Sequence, residues 1–121
     1  MMNINRIPLQ YEIWIADLDP ASRTEPGKIR PVVILQADAL HYAGHTSTIV
    51  CAISSQPKEG ISLIRQNIQP SAENGLRKES YILIDQIRAL DLIRLHEKIG
   101  ELGEEAINIL RQGIKSILSL N

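Results

Sequence analysis

The stretch YEIWIADLDPASRTEPGKIRPVVILQADALHYAGHTSTIVCAISS, Tyr11 to Ser55, decides the fold. It contains three apolar runs: YEIWIADL, RPVVIL and STIVCAIS. In the first, Tyr11, Ile13 and Ile15 alternate with Glu12, Trp14 and Ala16. Alternation with β-branched and aromatic content predicts a strand. Asp19-Pro20 ends it, because Pro removes a ladder donor and Asp favours turns. A polar loop from Asp19 to Ile29 follows, with Pro26-Gly27 as a strong turn dipeptide. Arg30-Pro31 opens a second strand that runs to Leu35. Ala37 to Thr46 reads as a connecting loop or one helical turn. Thr48 to Ser54 is a third strand, and its unbroken apolar run from Ile49 to Ile53 predicts burial on both faces.

Beyond this stretch, Gln56 to Gly60 and Pro70 to Gly75 are turn-rich breaks. Between them, Ile61 to Ile68 alternates as a fourth strand, with Ser62, Ile64, Gln66 and Ile68 on one side. Ser80 to Ile87 is a fifth strand carrying a polar pair, Asp85-Gln86, near its end. Asp91 to His96 suggests a helical turn, and Lys98 to Gly100 a short edge strand. From Gly103 the period changes. Ile107, Leu110, Ile114 and Leu118 recur at helical steps. Glu104 and Glu105 in the first turn and Lys115 near the other end suit the helix dipole. Gly113 in mid-helix costs roughly 1 kcal/mol against Ala and permits close packing. The sum is a mainly β domain with a C-terminal α-helix, a small and mostly antiparallel barrel or highly curved sheet. Residues 1–10 form a loose lead-in, and residues 11–121 the single domain.

The chain has 121 residues, enough for one core. That core must be aliphatic, since there is no Phe and only one Trp. A net charge of −1 gives no global field to steer nucleic acid, so any such binding needs a local patch. Lys28, Arg30, Lys58, Arg65, Arg77, Lys78 and Arg88 lie in or beside proposed loops, where folding could gather some into a basic groove. The one cysteine, Cys51, excludes an internal disulfide and fits a reducing compartment. It reads as a small core residue. No apolar run has the length of a membrane span, so the expected location is the cytoplasm. His41 and His45 are four apart, but no Glu completes H-E-x-x-H and Gly44 favours loop. No metal and no cofactor are expected.

Single residues read two ways. Arg30 at a strand mouth can fork two donors onto a phosphate, or it can be a solvated arginine paired with Glu25. Ser54 and Ser55 can donate to phosphate oxygens or cap a turn. No G-x-S-x-G context supports a serine hydrolase. Asp85 in an apolar strand needs a donor or an exposed strand end. Asp85 and Glu25 could each act as a base or fix an arginine.

Taken together, YEIWIADLDP, TEPGKIRPVVILQAD, STIVCAISSQ, GLRKESYILIDQIRALD and RLHEKIGEL resemble the MazF/PemK/Kid family of toxins of type II toxin–antitoxin systems. The resemblance spans nearly the whole chain from Tyr11 onward. It implies an SH3-like barrel of the CcdB–MazF type with a C-terminal helix. It also implies a homodimer with grooves for single-stranded RNA, and a metal-independent, sequence-specific endoribonuclease. An antitoxin would lay its C-terminal segment along those grooves. The catalytic positions of the family fall on Arg30, Ser54 (in place of a threonine), Glu25 and Asp85. RNA contacts would come from Arg23, Thr24 and Lys28 in the first loop and from Ser55, Gln56 and Lys58 after the third strand. Gln86 and Arg88 would add to them. Attack by the RNA's own 2′-OH would leave a 2′,3′-cyclic phosphate and a 5′-OH, which accounts for RNA over DNA. Three departures stand out. Tyr11 replaces an opening glycine, Arg23-Thr24-Glu25-Pro26 replaces Gly-Ser-Glu-Gln, and Leu83 stands where some members carry an arginine. The alternative is a CcdB-like gyrase-binding toxin or a binding module on the same architecture, though the chain lacks a terminal Trp-Gly-Ile.

Overall fold

The computed structural model describes residues 7–18, 29–56 and 64–121. The described elements are β1 (Glu12–Asp17), β2 (Ile29–Ile34), α1 (Asp38–Tyr42), β3 (Ser47–Ser54), β4 (Arg65–Ile68), β5 (Ser80–Asp91), a 3-10 turn (Leu92–Arg94), β6 (Leu95–Glu101) and α2 (Glu104–Leu118). The six strands form one sheet in the order β4-β5-β3-β2-β1-β6. Every pairing is antiparallel. The sheet is open among the described residues, with β4 and β6 as its edges.

Burial follows strand position. β3 lies between β5 and β2, and Val50 to Ser54 are buried without a break, whereas Ile49, expected in the buried run, is exposed. Side chains alternate across a strand, so such a run must feed two cores. One core holds Trp14, Ala16, Val32, Ile34, Val50, Ala52, Leu83 and Leu90. The other holds Ile13, Val33, Cys51, Ile53, Ile82, Ile84 and Leu110. Helix α2 covers the second face. Leu110 is fully buried there, whereas Leu118 lies past the contact and is exposed. Gly113 is a packing device: a Cβ there would stand 2.7 Å from Ile84 Cδ1.

Several expectations shift at their boundaries. The polar pair Asp85-Gln86 does not end β5, which continues to Asp91. The edge strand β6 is longer than Lys98 to Gly100, running from Leu95 to Glu101. The ambiguous segment after β2 contains one helical turn, α1. The end of the lead-in is not loose. Pro8 is buried. Gln10 N–H donates to Asp38 Oδ1 at 2.6 Å, and its side-chain amide donates to the Leu35 carbonyl at 2.9 Å. Tyr11 sits at φ 70, the left-handed region that a glycine would enter freely. It is held there from several sides. Its N–H donates to the Ile34 carbonyl at 2.7 Å, and its own carbonyl accepts from Leu102 N–H at 3.0 Å. Arg111 Nη1 of α2 donates to its hydroxyl at 3.1 Å.

Gly75 closes the turn before β5 at φ +72, and a Cβ there would collide with the Ile99 carbonyl of β6. Gly75→Ala should therefore destabilise the fold by about 2 kcal/mol or more, combining left-handed strain with a backbone collision. Chemical denaturation measures it, and an unchanged midpoint would contradict this packing.

Candidate functional site

The site is built by register. β2 and β3 pair as Val32↔Ala52, Val33↔Cys51 and Ile34↔Val50. Carrying that register two residues further, within the bounds of both strands, sets Arg30 opposite Ser54. Alternation puts both on the face of Val32 and Ala52. Directly opposed antiparallel residues have Cα atoms about 4.5–5.5 Å apart. On its other side Arg30 pairs with Ala16 of β1, and Ser54 pairs with Tyr81 of β5. Tyr81 packs against the same core. The register so extended assigns Arg30 and Ser54, far apart in sequence, to one face of the sheet.

Ser54 is buried, and its Oγ accepts the Gln56 N–H at 3.1 Å. An oxygen that accepts from the backbone keeps its own proton to donate. Ser55 and Gln56 follow on the surface. Arg30 is half-buried and engaged within the fold.

Asp85 and Gln86 occupy a break in the β3–β5 ladder. Cys51 pairs with Ile87, yet Ile53 pairs with Ile82. One residue of β3, Ala52, therefore faces four of β5, Leu83 to Gln86. Such bulges re-aim side chains. Asp85 emerges to meet Arg65, with Oδ1 3.5 Å from Nη1. Arg65 is the direct cross-strand partner of Leu83. The sequence offers Arg65 only as one of seven cations in or beside loops that folding could gather. Its weight depends on strand pairing, which no local signal carries. Arg88 pairs with Val50 and shares that residue's face.

The expected basic groove is thus divided. Arg30 and Arg88 fall by register on the face of Val32 and Val50, whereas Arg65 lines a cleft with Ile84 and with Asn108, Ile109 and Gln112 of α2. Arg77 and Lys78 line a cleft of about 350 Å³ on the face opposite Arg30, floored by Ile15, Pro31 and Ile53. Glu25, Arg23, Thr24, Lys28 and Lys58 lie outside the described residues. Among the described residues no group of three or more His, Cys, Asp or Glu is placed to hold a metal. No helix there is long and apolar enough to cross a membrane.

Two buried groups titrate away from their usual ranges. Burial, with Asp85 adding to it, pushes the Cys51 thiol up to about 12. Burial lowers the pKa of His41, against the opposing pull of Asp38. His41 Nε2 meets Thr48 Oγ1 at 2.8 Å, while its buried Nδ1 has no partner. Protonation would strand a donor there, so the neutral ring fits the site.

Residues 9–118 match the model of the PemK-like, MazF-like toxin family of type II toxin–antitoxin systems. The chain belongs to that family. The chain is 36% identical over 110 residues to Endoribonuclease MazF of Staphylococcus saprophyticus, covering 91% of this chain and 90% of the relative. It is 31% identical over 110 residues to Endoribonuclease EndoA of Bacillus subtilis, covering 90% and 92%. The MazF crystal structure from Deinococcus radiodurans shares the fold at a TM-score of 0.80 and 20% identity, covering 94% of this chain and 98% of that one.

Two outcomes follow from the titrating groups. Cys51 should resist thiol reagents at neutral pH until the protein unfolds; rapid labelling of the native protein would contradict its burial. His41 has a folded pKa below the unfolded value of 6.5. Its contribution to stability is complete above that value and is lost as pH falls through the lowered one. Denaturation midpoints should drop on acidification below about 6.5, and His41→Gln should flatten that drop. Equal slopes for both proteins would contradict it.

Proposed function

We propose that this toxin is a metal-independent endoribonuclease that cuts single-stranded RNA at specific sequences. The observation that supports this reading is the β2–β3 register, which, extended two residues beyond Val32↔Ala52, is consistent with Arg30 and Ser54 sharing one face. The endoribonuclease relatives and the family match support it. The 2′-OH of the RNA attacks the adjacent phosphorus, and the P–O5′ bond breaks. The products are a 2′,3′-cyclic phosphate and a 5′-OH, and no water is consumed. Negative charge grows on the non-bridging oxygens. The Arg30 guanidinium stabilises it with two donors, and the Ser54 hydroxyl holds one oxygen. Of the two roles open to Asp85, base or fixer of an arginine, its ion pair with Arg65 supports the second. Glu25 is then the carboxylate left to take the 2′-OH proton. Ser55, Gln56, Gln86 and Arg88, with Arg23, Thr24, Lys28 and Lys58, hold the flanking RNA.

The working unit is a cytoplasmic homodimer of single-domain subunits, inhibited by the C-terminal segment of an antitoxin lying in the RNA groove. Apolar side chains left exposed, Leu40, Tyr42, Ile49 and Ile93, support a subunit interface. A sedimentation profile of monomer alone at micromolar concentration would argue against it.

Single-stranded RNA incubated with protein in EDTA tests the chemistry. Wild type should cut it, leaving 5′-OH ends. Arg30→Ala and Ser54→Ala should each lose roughly 10²–10³ in rate, the cost of one lost oxyanion donor. Ser54→Thr should retain activity because it keeps the hydroxyl. Equal cutting by wild type and Arg30→Ala would overturn the assignment.

A further inference from the structure

Cleavage as described needs a proton that none of the residues assigned to it supplies. Glu25 takes the 2′-OH proton, and the P–O5′ bond breaks with its electron pair on O5′. The product is a 5′-OH, so a general acid must protonate O5′ as the bond breaks. Arg30 keeps its charge at any working pH and does not serve. Ser54 is engaged with a non-bridging oxygen.

Other proton-bearing groups among the described residues are committed or face away. Asp85 is ion-paired with Arg65. Cys51 packs in the other core, its thiol pushed up to about 12 by burial. Ser55, Arg77 and Lys78 line the cleft on the other face. His41 and Thr48 bond each other at the far end of β3, where His45 also lies. His96 is one step along β6 from Leu95 of the first core, and alternation turns it to the opposite face. Tyr81 is left. It is the direct cross-strand partner of Ser54. Its ring packs against the core of Ala52 and Leu83, so it shares the Ser54 face.

The Tyr81 hydroxyl is uncommitted. Tyr11 accepts from Arg111 and Trp14 donates to Glu12, but the Tyr81 hydroxyl makes no hydrogen bond among the described residues and is not sealed from solvent. Its strand neighbours are occupied elsewhere. Ser54 Oγ accepts from Gln56, and Asn67 on the β4 side donates to Glu79 and accepts from Gln69. Opposed residues have Cα atoms about 4.5–5.5 Å apart, a gap that a tyrosine side chain spans. A phosphate held by Ser54 is therefore within its reach. A phenol keeps its proton through neutral pH and can give it up to a developing alkoxide.

We propose that Tyr81 is the general acid, its phenolic O–H protonating O5′ as the P–O5′ bond breaks. The O2′–P bond forms, and the electron pair of the broken bond takes the phenol proton. Water then reprotonates the phenolate and receives the proton held by Glu25, so the enzyme ends as it began. The step rests on the ribonuclease reading and adds a residue to it.

Single-turnover cleavage tests this, with the cut position first mapped from the 5′-OH ends. Tyr81→Phe keeps the ring in the core and removes only the oxygen. Its denaturation midpoint and its affinity for an uncleavable 2′-deoxy strand should match wild type. Its cleavage rate should fall by about 10²–10⁴, the usual contribution of a general acid. A second RNA carries sulfur in place of the bridging 5′ oxygen at the cut. A thiolate leaves without a proton, so Tyr81→Phe should cut that RNA at close to the wild-type rate, while Arg30→Ala stays slow on both. The ratio of the two rates within one variant does not depend on how much of it is folded. Wild-type cutting of ordinary RNA by Tyr81→Phe overturns the assignment. So does a loss that persists on the sulfur substrate, or one confined to affinity, either of which would make Tyr81 a positioning residue. If the wild type itself cuts no RNA, the ribonuclease reading falls and this step with it.

Discussion

The pairing of β2 with β3 is the constraint on which the site depends. Side chains alternate with a period of two, so a slip of one residue would send Arg30 to one face and leave Ser54 on the other. Burial forbids that slip. Val32, Ile34, Val50 and Ala52 fill one core while Val33, Cys51 and Ile53 fill the other. Every residue in the pair is committed to a side. The polar groups at the strand ends inherit that commitment without helping to establish it. Apolar packing in mid-sheet therefore aligns the proposed catalytic pair.

The β5 bulge does complementary work. A regular strand would pair each of Leu83 to Gln86 with its own neighbour on β3. Instead four residues share the space beside Ala52. The polar pair Asp85-Gln86 is thereby accommodated in mid-strand, and β5 continues to Asp91 with its apolar residues back in register. Asp85 faces Arg65 across the neighbouring strand. Arg65 on β4 stands directly opposite Leu83.

Much of this was legible in the chain. The three apolar runs from Tyr11 to Ser55 mapped onto β1 to β3 within a residue or so, because alternation and a double-buried run leave few other solutions. The helical period after Gly103 located α2, and Gly113 packs as its position suggested. Arg30 and Ser54, candidates from their strand-end positions and from the family resemblance, lie on β2 and β3. Other features lay beyond local reading. The length of β5 was hidden because a bulge, unlike a turn, has no composition signature of its own. Arg65 was hidden because its meaning comes from a cross-strand partner. The helical turn α1 was ambiguous, since His41 is anchored by Thr48 from β3 rather than by any local pattern.

A crystal structure of the protein with an uncleavable 2′-deoxy oligonucleotide would show directly where Arg30 and Ser54 meet the strand. One phosphate should have its non-bridging oxygens within hydrogen-bond distance of both the Arg30 guanidinium and the Ser54 hydroxyl. A strand bound with its phosphates away from that pair, or across the opposite face of the sheet, would contradict that expectation.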